Sequence, residues 1–203
     1  MNAKRLHCRG VIGALAVCMT AFPALAEDLK CEGPFAKDTS HKRLVEAFGQ
    51  PNVTLETISG AEGIEMKASV IFPTDPERRI EVMWWDEERQ TRPSSIQATG
   101  KGWIGPRGVR VGMSLSEVEA VNGKPFSLYG FSWDYGGTAT DWKNGKLATT
   151  PGGCTLLIVF APAENAAQAA LNRVSGDTQF SSSSKGMLAV KPSVQKLSIG
   201  YPE

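Results

Sequence analysis

Two stretches of this chain, 74 residues apart, spell the same helix and the same stop. Thr39 or Ser40 can cap a helix in which His41, Leu44, Val45 and Phe48 share one face. Gly49 then ends it and Pro51 prevents its return. Ser114 and Glu117 have capping-box spacing, and Gly123 and Pro125 close the second helix. Leu44 maps onto Val118 at the same offset. A short helix with one apolar stripe is marginal alone and must bury that stripe on another element. Two such units side by side can bury one continuous core, so the register reads as an internal duplication.

The material after each helix fits sheets. In the first half, Val53–Ser59, Met66–Phe72, Arg79–Trp85 and Ser94–Thr99 read as strands separated by turn chemistry such as Pro73-Thr74-Asp75-Pro76. Met66, Ala68, Val70 and Phe72 alternate with Lys67 and Ser69, as in a half-buried antiparallel strand. In the second half the expected strands are Ser127–Tyr135, Thr138–Lys143 with a return at Lys146–Thr149, Cys154–Phe160 and Val194–Tyr201. Asn144-Gly145 reads as a type I′ hairpin turn. An insertion separates the last two strands, with a short helix near Glu164–Val174 and a mobile Ser181–Ser184 stretch.

The N-terminus reads as an export signal. Lys4, Arg5 and Arg9 precede an apolar run from Val11 to Phe22, and Ala24-Leu25-Ala26 is a cleavage site. The run is roughly a dozen residues, short of the roughly 20 that span a bilayer. Cys18 follows Val17, where lipid attachment requires a small residue, so neither lipidation nor a stable membrane anchor is expected. Cleavage would leave 19 basic and 21 acidic side chains, a net charge near −2 that offers no footprint for nucleic acid. It would also leave two cysteines, Cys31 and Cys154, and in an oxidising compartment these are expected to pair.

The tandem arrangement, with a period near 75, resembles the beta-lactamase inhibitor protein fold. Gly112-Met113-Ser114-Leu115-Ser116-Glu117-Val118, continued by Gly123-Lys124-Pro125, is similar to the helix motif of the SmpA/OmlA outer-membrane lipoproteins. The resemblance implies protein binding rather than catalysis. The chain departs from that family in lacking a lipidation cysteine.

Catalytic chemistry is thinly supplied. His41 is the histidine left after cleavage, on the apolar side of a helix, and reads as a hydrogen-bonded packing residue. No serine sits in a nucleophile elbow, and ligands for zinc are scarce. Asp86-Glu87-Glu88, Asp134 and Asp141 could in principle form an acid–base pair, but carboxylates at strand ends are usually solvated turns. The glycines at Gly100-Lys101-Gly102 and Gly105-Pro106-Arg107-Gly108 lack phosphate-loop order and read as a joining loop. No catalytic residue, cofactor or metal is therefore assigned.

The aromatic run is more informative. Tyr129, Phe131, Trp133 and Tyr135 would share one face of a single strand, with Trp142 on the next. Trp133, Tyr135 and Trp142 are the candidate binding surface, since Tyr and Trp beside a Gly-Gly turn suit an interface.

The expected fold is α+β: two tandem helix-plus-four-stranded antiparallel sheet units forming one continuous sheet. Residues 27–100 form the first unit, 101–111 a linker, and 112–203 the second, with the insertion at about 162–192. The expected function is a secreted, periplasmic, non-catalytic binding or inhibitory module that engages another envelope protein. A cell-envelope hydrolase using carboxylates and a carrier of small apolar ligands are the alternatives.

Overall fold

The computed structural model describes residues 27–59 and 63–203; the signal segment 1–26 lies outside the described residues. Six strands form the main sheet, all antiparallel: β2 (Val53–Ser59), β3 (Glu65–Ile71), β4 (Ile80–Asp86), β5 (Thr91–Ala98), β11 (Ser193–Gly200) and β9 (Thr155–Ala161), in that order. Two further strands, β1 (Glu27–Asp28) and β6 (Trp103–Ile104), pair in parallel. A second sheet carries β10 (Gln179–Ser181), β7 (Ser127–Tyr129) and β8 (Ala139–Asp141). The helices are α1 (His41–Phe48), α2 (Leu115–Asn122), α3 (Gln168–Leu171) and α4 (Lys185–Ala189).

Both long helices start and stop as their residues dictate. The Ser40 side chain accepts from the Arg43 N–H, and Gly49 follows at φ 87°. Ser114 and Glu117 form a full capping box, and Gly123 closes α2 in the left-handed region at φ 82°. Each cap residue also bridges to the first residue of its unit's last strand: Ser40 to Thr91, and Ser114 to Ser193. Ser114 lies 74 residues after Ser40, and Ser193 lies 102 after Thr91, so the second unit holds 28 more residues between helix and last strand. Leu44 and Val118 are both fully buried.

Register across the sheet decides what is buried. One row runs Val53, Ile71, Ile80, Ala98, Leu197, Ile158 across all six strands. The next on the same face runs Leu55, Ser69, Val82, Ile96, Ile199, Leu156. These rows face the helices, because His41 on α1 hydrogen-bonds Ser69 at 2.9 Å. Apart from Leu55, at the sheet edge, all their members are buried. The alternation on β3 therefore has the opposite sense to that expected: Ser69 and Ile71 face α1, while Ala68 and Val70 lie on the other face, and both sets are buried.

Two clusters of rings complete the core. Phe35, Phe48, Phe72 and Trp103 interlock in the first half, and Phe126, Trp142 and Phe160 in the second. Trp103 and Val109 are buried, so the 101–111 stretch packs into the core. The Cys31–Cys154 disulfide is present, with Cα atoms 5.6 Å apart across 123 residues of sequence. No helix among the described residues is long and apolar enough to cross a membrane.

The second unit departs from its expected outline in three places. The β7 strand is three residues long and ends before Gly130, whose N–H is taken by Thr178 at 2.9 Å. The hairpin turn sits one residue earlier than expected: Lys143 and Asn144 hold the two positive φ angles, and Gly145 N–H closes on Trp142 at 2.8 Å. The chain then forms a short 3₁₀ turn at Lys146–Ala148 rather than a strand. Gly145 is needed because a Cβ there would collide with the Asn122 side chain. Finally, Ser181–Ser184 is built in rather than loose. Ser181 belongs to β10, the buried Ser182 hydroxyl accepts from Phe126 N–H at 3.0 Å, and Ser184 caps α4.

Candidate functional site

The sheet face away from the helices is where this molecule meets solvent with unusual side chains. Its rows run Thr54, Val70, Glu81, Gln97, Ser198, Leu157 and Glu56, Ala68, Met83, Ser95, Gly200, Thr155. Hydroxyls, amides and small residues make this face too polar for a second core layer. A groove of about 840 Å³ crosses it, reaching from Ile58 and Met66 at one side to Asp134, Tyr135 and Thr138 at the other.

The backbone explains the groove's two rims. At one, a bulge between β4 and β5 sets Trp84 opposite Pro93, with Arg92 at φ 58°. Trp84 turns inward and donates to Ser69 Oγ at 3.1 Å. Trp85 turns outward, 45% exposed, anchored by its Nε1 to the Tyr201 carbonyl at 2.9 Å. At the other rim, the chain leaves β7 and folds over the outer edge of β9. Phe160 N–H donates to the Gly137 carbonyl at 2.9 Å, and Thr138 bridges Val159. Gly137 is at φ 74° with its Cα against the Phe160 carbonyl, where a side chain has no room. That contact sets Tyr135 over the groove, 49% exposed.

The aromatic run is thus not one strand face. Tyr129 ends β7, Phe131 is buried, and Ser132 at φ 67° breaks the alternation. Trp133 is half-buried, edge-on to Tyr129 at 5.1 Å and to Tyr135 at 5.4 Å, with Nε1 donating to Gly130 at 2.9 Å. Trp142 lies at the far end of the β7–β8 hairpin, 4.8 Å from Phe126, packed on the core. Of the three candidate residues, Tyr135 lines the groove, Trp133 supports it from behind, and Trp142 belongs elsewhere. Met83 and Leu157 line the groove and were not singled out from sequence; Trp85 also lines it but was not among the three candidates. Strand parity on β4 and β9, read together with the cross-strand register, is the signal that finds them.

Charge is placed unevenly. Arg79 donates to Glu56 at 2.9 Å and to Glu81 at 3.0 Å. That bond from Arg79 holds the Glu56 carboxyl below its ordinary range, against the opposing effect of partial burial. Glu87 and Asp134 line the groove and make no ion pair among the described residues. Asp86 is engaged with Arg89, and Asp141 with Lys143, which lowers its pKa; neither lines the groove.

The His41 ring binds Ser69, and burial lowers its pKa. It stands on the helix side of the sheet and does not line the groove. Among the described residues no cluster of three or more His, Cys, Asp or Glu side chains could hold a metal ion.

No protein-family model matches the chain, and no curated protein matches its sequence. Neither comparison shows the SmpA/OmlA family, so that likeness is one of sequence motif alone. Among solved structures, the uncharacterized protein yfeY from Escherichia coli matches at 10% identity and a TM-score of 0.47, covering 86% of this chain and 98% of that one. A similarity of that degree carries no argument about site or activity.

Proposed function

We propose that this chain is a periplasmic binding or inhibitory module that engages another envelope protein through the open face of its six-stranded sheet. The observation that supports this is the groove itself: a shallow, solvent-open floor with Met83 and Leu157 between two exposed rings, Trp85 and Tyr135. Large apolar side chains gathered on one exposed surface mark interaction sites more often than they occur by chance. The groove is open along its length, which suits a protein surface better than a small apolar ligand that must be enclosed. The disulfide and the signal-like N-terminus support the periplasmic part of this reading.

The test is a photo-crosslinking residue placed at Trp85 or Tyr135, and at Glu46 on the outer side of α1, in the native host. Groove positions should give a discrete adduct with an envelope protein, and the Glu46 position none. Adducts only from Glu46, or none from either groove position, would reject the reading. N-terminal sequencing of exported material should begin near Glu27; a retained 1–26 segment would remove the periplasmic part of the proposal.

A further inference from the structure

Both rims of the groove pair an aromatic ring with a carboxylate. Trp85 stands two residues from Glu87, and Asp134 adjoins Tyr135; all four line the same cavity. Exposed ring faces attract ammonium and guanidinium groups, and a neighbouring carboxylate adds a full charge to that attraction. Glu81, also in the lining, is already neutralised by Arg79, and Lys196 contributes one cation. Glu87 and Asp134 are exposed and have no ion-pair partner among the described residues. The negative charge of the groove is therefore concentrated beside its rings, at the two ends.

Between the rims the floor is mixed, with apolar side chains set among Ser95 and Gln97. Met83 and Leu157 rise from it, and methionine reshapes to fit different contours. From β4, which carries Trp85, to β9, beside Tyr135, is three strand spacings; at about 4.8 Å each this is about 14 Å, room for about four extended residues between the rings. We infer, resting on the sheet-face reading above, that the groove takes an extended partner segment with apolar residues at its centre and lysine or arginine at its ends.

The test uses three fluorescent peptides of about eight residues with leucine and valine at the centre. They carry lysine, glutamine or glutamate at the ends, and each is titrated against the disulfide-bonded protein. The lysine peptide should bind roughly tenfold more tightly than the glutamine peptide, and the glutamate peptide least. The preference should shrink between about 50 mM and about 0.5 M sodium chloride. Glu87→Gln with Asp134→Asn should abolish the preference, while Glu46→Gln, on the outer side of α1, should keep it. Equal binding of all three peptides would overturn the inference, as would an equal loss in the Glu46→Gln control, which would indicate general charge attraction. If the glutamine peptide binds as well as the lysine peptide and Trp85→Ala with Tyr135→Ala removes both, the cationic partner is excluded and the sheet-face reading stands. If that ring pair can be removed without loss, both fall.

Discussion

The two halves of this molecule begin alike and end differently. In the first, β2 to β5 run as an unbroken meander, each strand paired to the next. In the second, β9 and β11 join the main sheet, while β7 and β8 turn away and take β10 from the insertion as their partner. The halves meet at β5 and β11, the last strand of each, paired antiparallel. From that seam outward the order is fourth, third, second, first on one side. On the other it is fourth, then third, then a single bridge from Thr138 to Val159. The helices match because caps and stops are local. The strands diverge because a strand needs a neighbour, and in the second half the 28 additional residues supply a different one. The divergence has a consequence for the surface: the chain that leaves β7 is free to fold over β9 and set Tyr135 above the groove.

The largest effect should come from the bond that ties the halves together. Cys31 precedes α1, and Cys154 precedes β9. Cys31→Ala with Cys154→Ala opens a closed loop of over 120 residues, for which chain entropy gives up to about 4–5 kcal/mol. Calorimetry should show one transition at a lower temperature, because the core rows run across β5 and β11 without a break. Two resolved transitions would mean that the halves are separate folding units.

A second comparison concerns the aromatic side chains. Trp142→Ala removes a ring packed on Phe126 and should cost about 3 kcal/mol. Trp133→Ala loses two edge contacts and one hydrogen bond from a half-buried position, and about 1–2 kcal/mol is expected. Tyr135→Ala, at the exposed end, should cost under about 0.5 kcal/mol. Chemical denaturation of the three variants checks the order. An equal loss at Trp142 and Tyr135 would contradict the division between core ring and groove ring.

Caps, glycine stops and the four strands of the first unit were legible from sequence, since each is written within a few residues. Val53–Ser59 is found at its expected bounds, and the others shift by one to three residues. The cysteine pair was legible because the expected mature chain has no other thiol. The aromatic run misled for a physical reason. Period-two spacing from Tyr129 to Tyr135 is strand-like, but Gly130 and Gly137 sit where other backbone comes too close for a side chain. The groove was not legible, because it is assembled from single residues on six strands whose register appears only in three dimensions.

Helix capping gives a finer test. Three hydrogen bonds join Ser114 and Glu117, whereas the Ser40 side chain accepts one, with no acidic residue in the first turn of α1. Ser114→Ala should cost about 1 kcal/mol and Ser40→Ala about 0.5 kcal/mol. Thermal melts of both should rank them in that order. A larger loss at Ser40 would show that its bridge to Thr91 outweighs the cap.

The smallest effect separates the halves by pH. His41 occupies the position that Leu115 holds 74 residues later, so this titration exists in the first half alone. Nδ1 of His41 lies 2.9 Å from the Oγ of buried Ser69, which also accepts from Trp84 Nε1. Protonating the ring charges a partly buried group, and burial therefore places its pKa below the ordinary value near 6.5. The unfolded chain therefore binds the proton more readily than the folded one. Stability from the neutral ring is present above the unfolded value and declines as pH falls through it towards the folded one. Because the ring is partly exposed, solvent screening keeps the effect small. His41→Gln keeps an acceptor for Ser69 and removes the titration. The stability difference between wild type and this variant should favour wild type more at pH 7.5 than at about pH 5. A difference independent of pH would show that His41 titrates alike in both states.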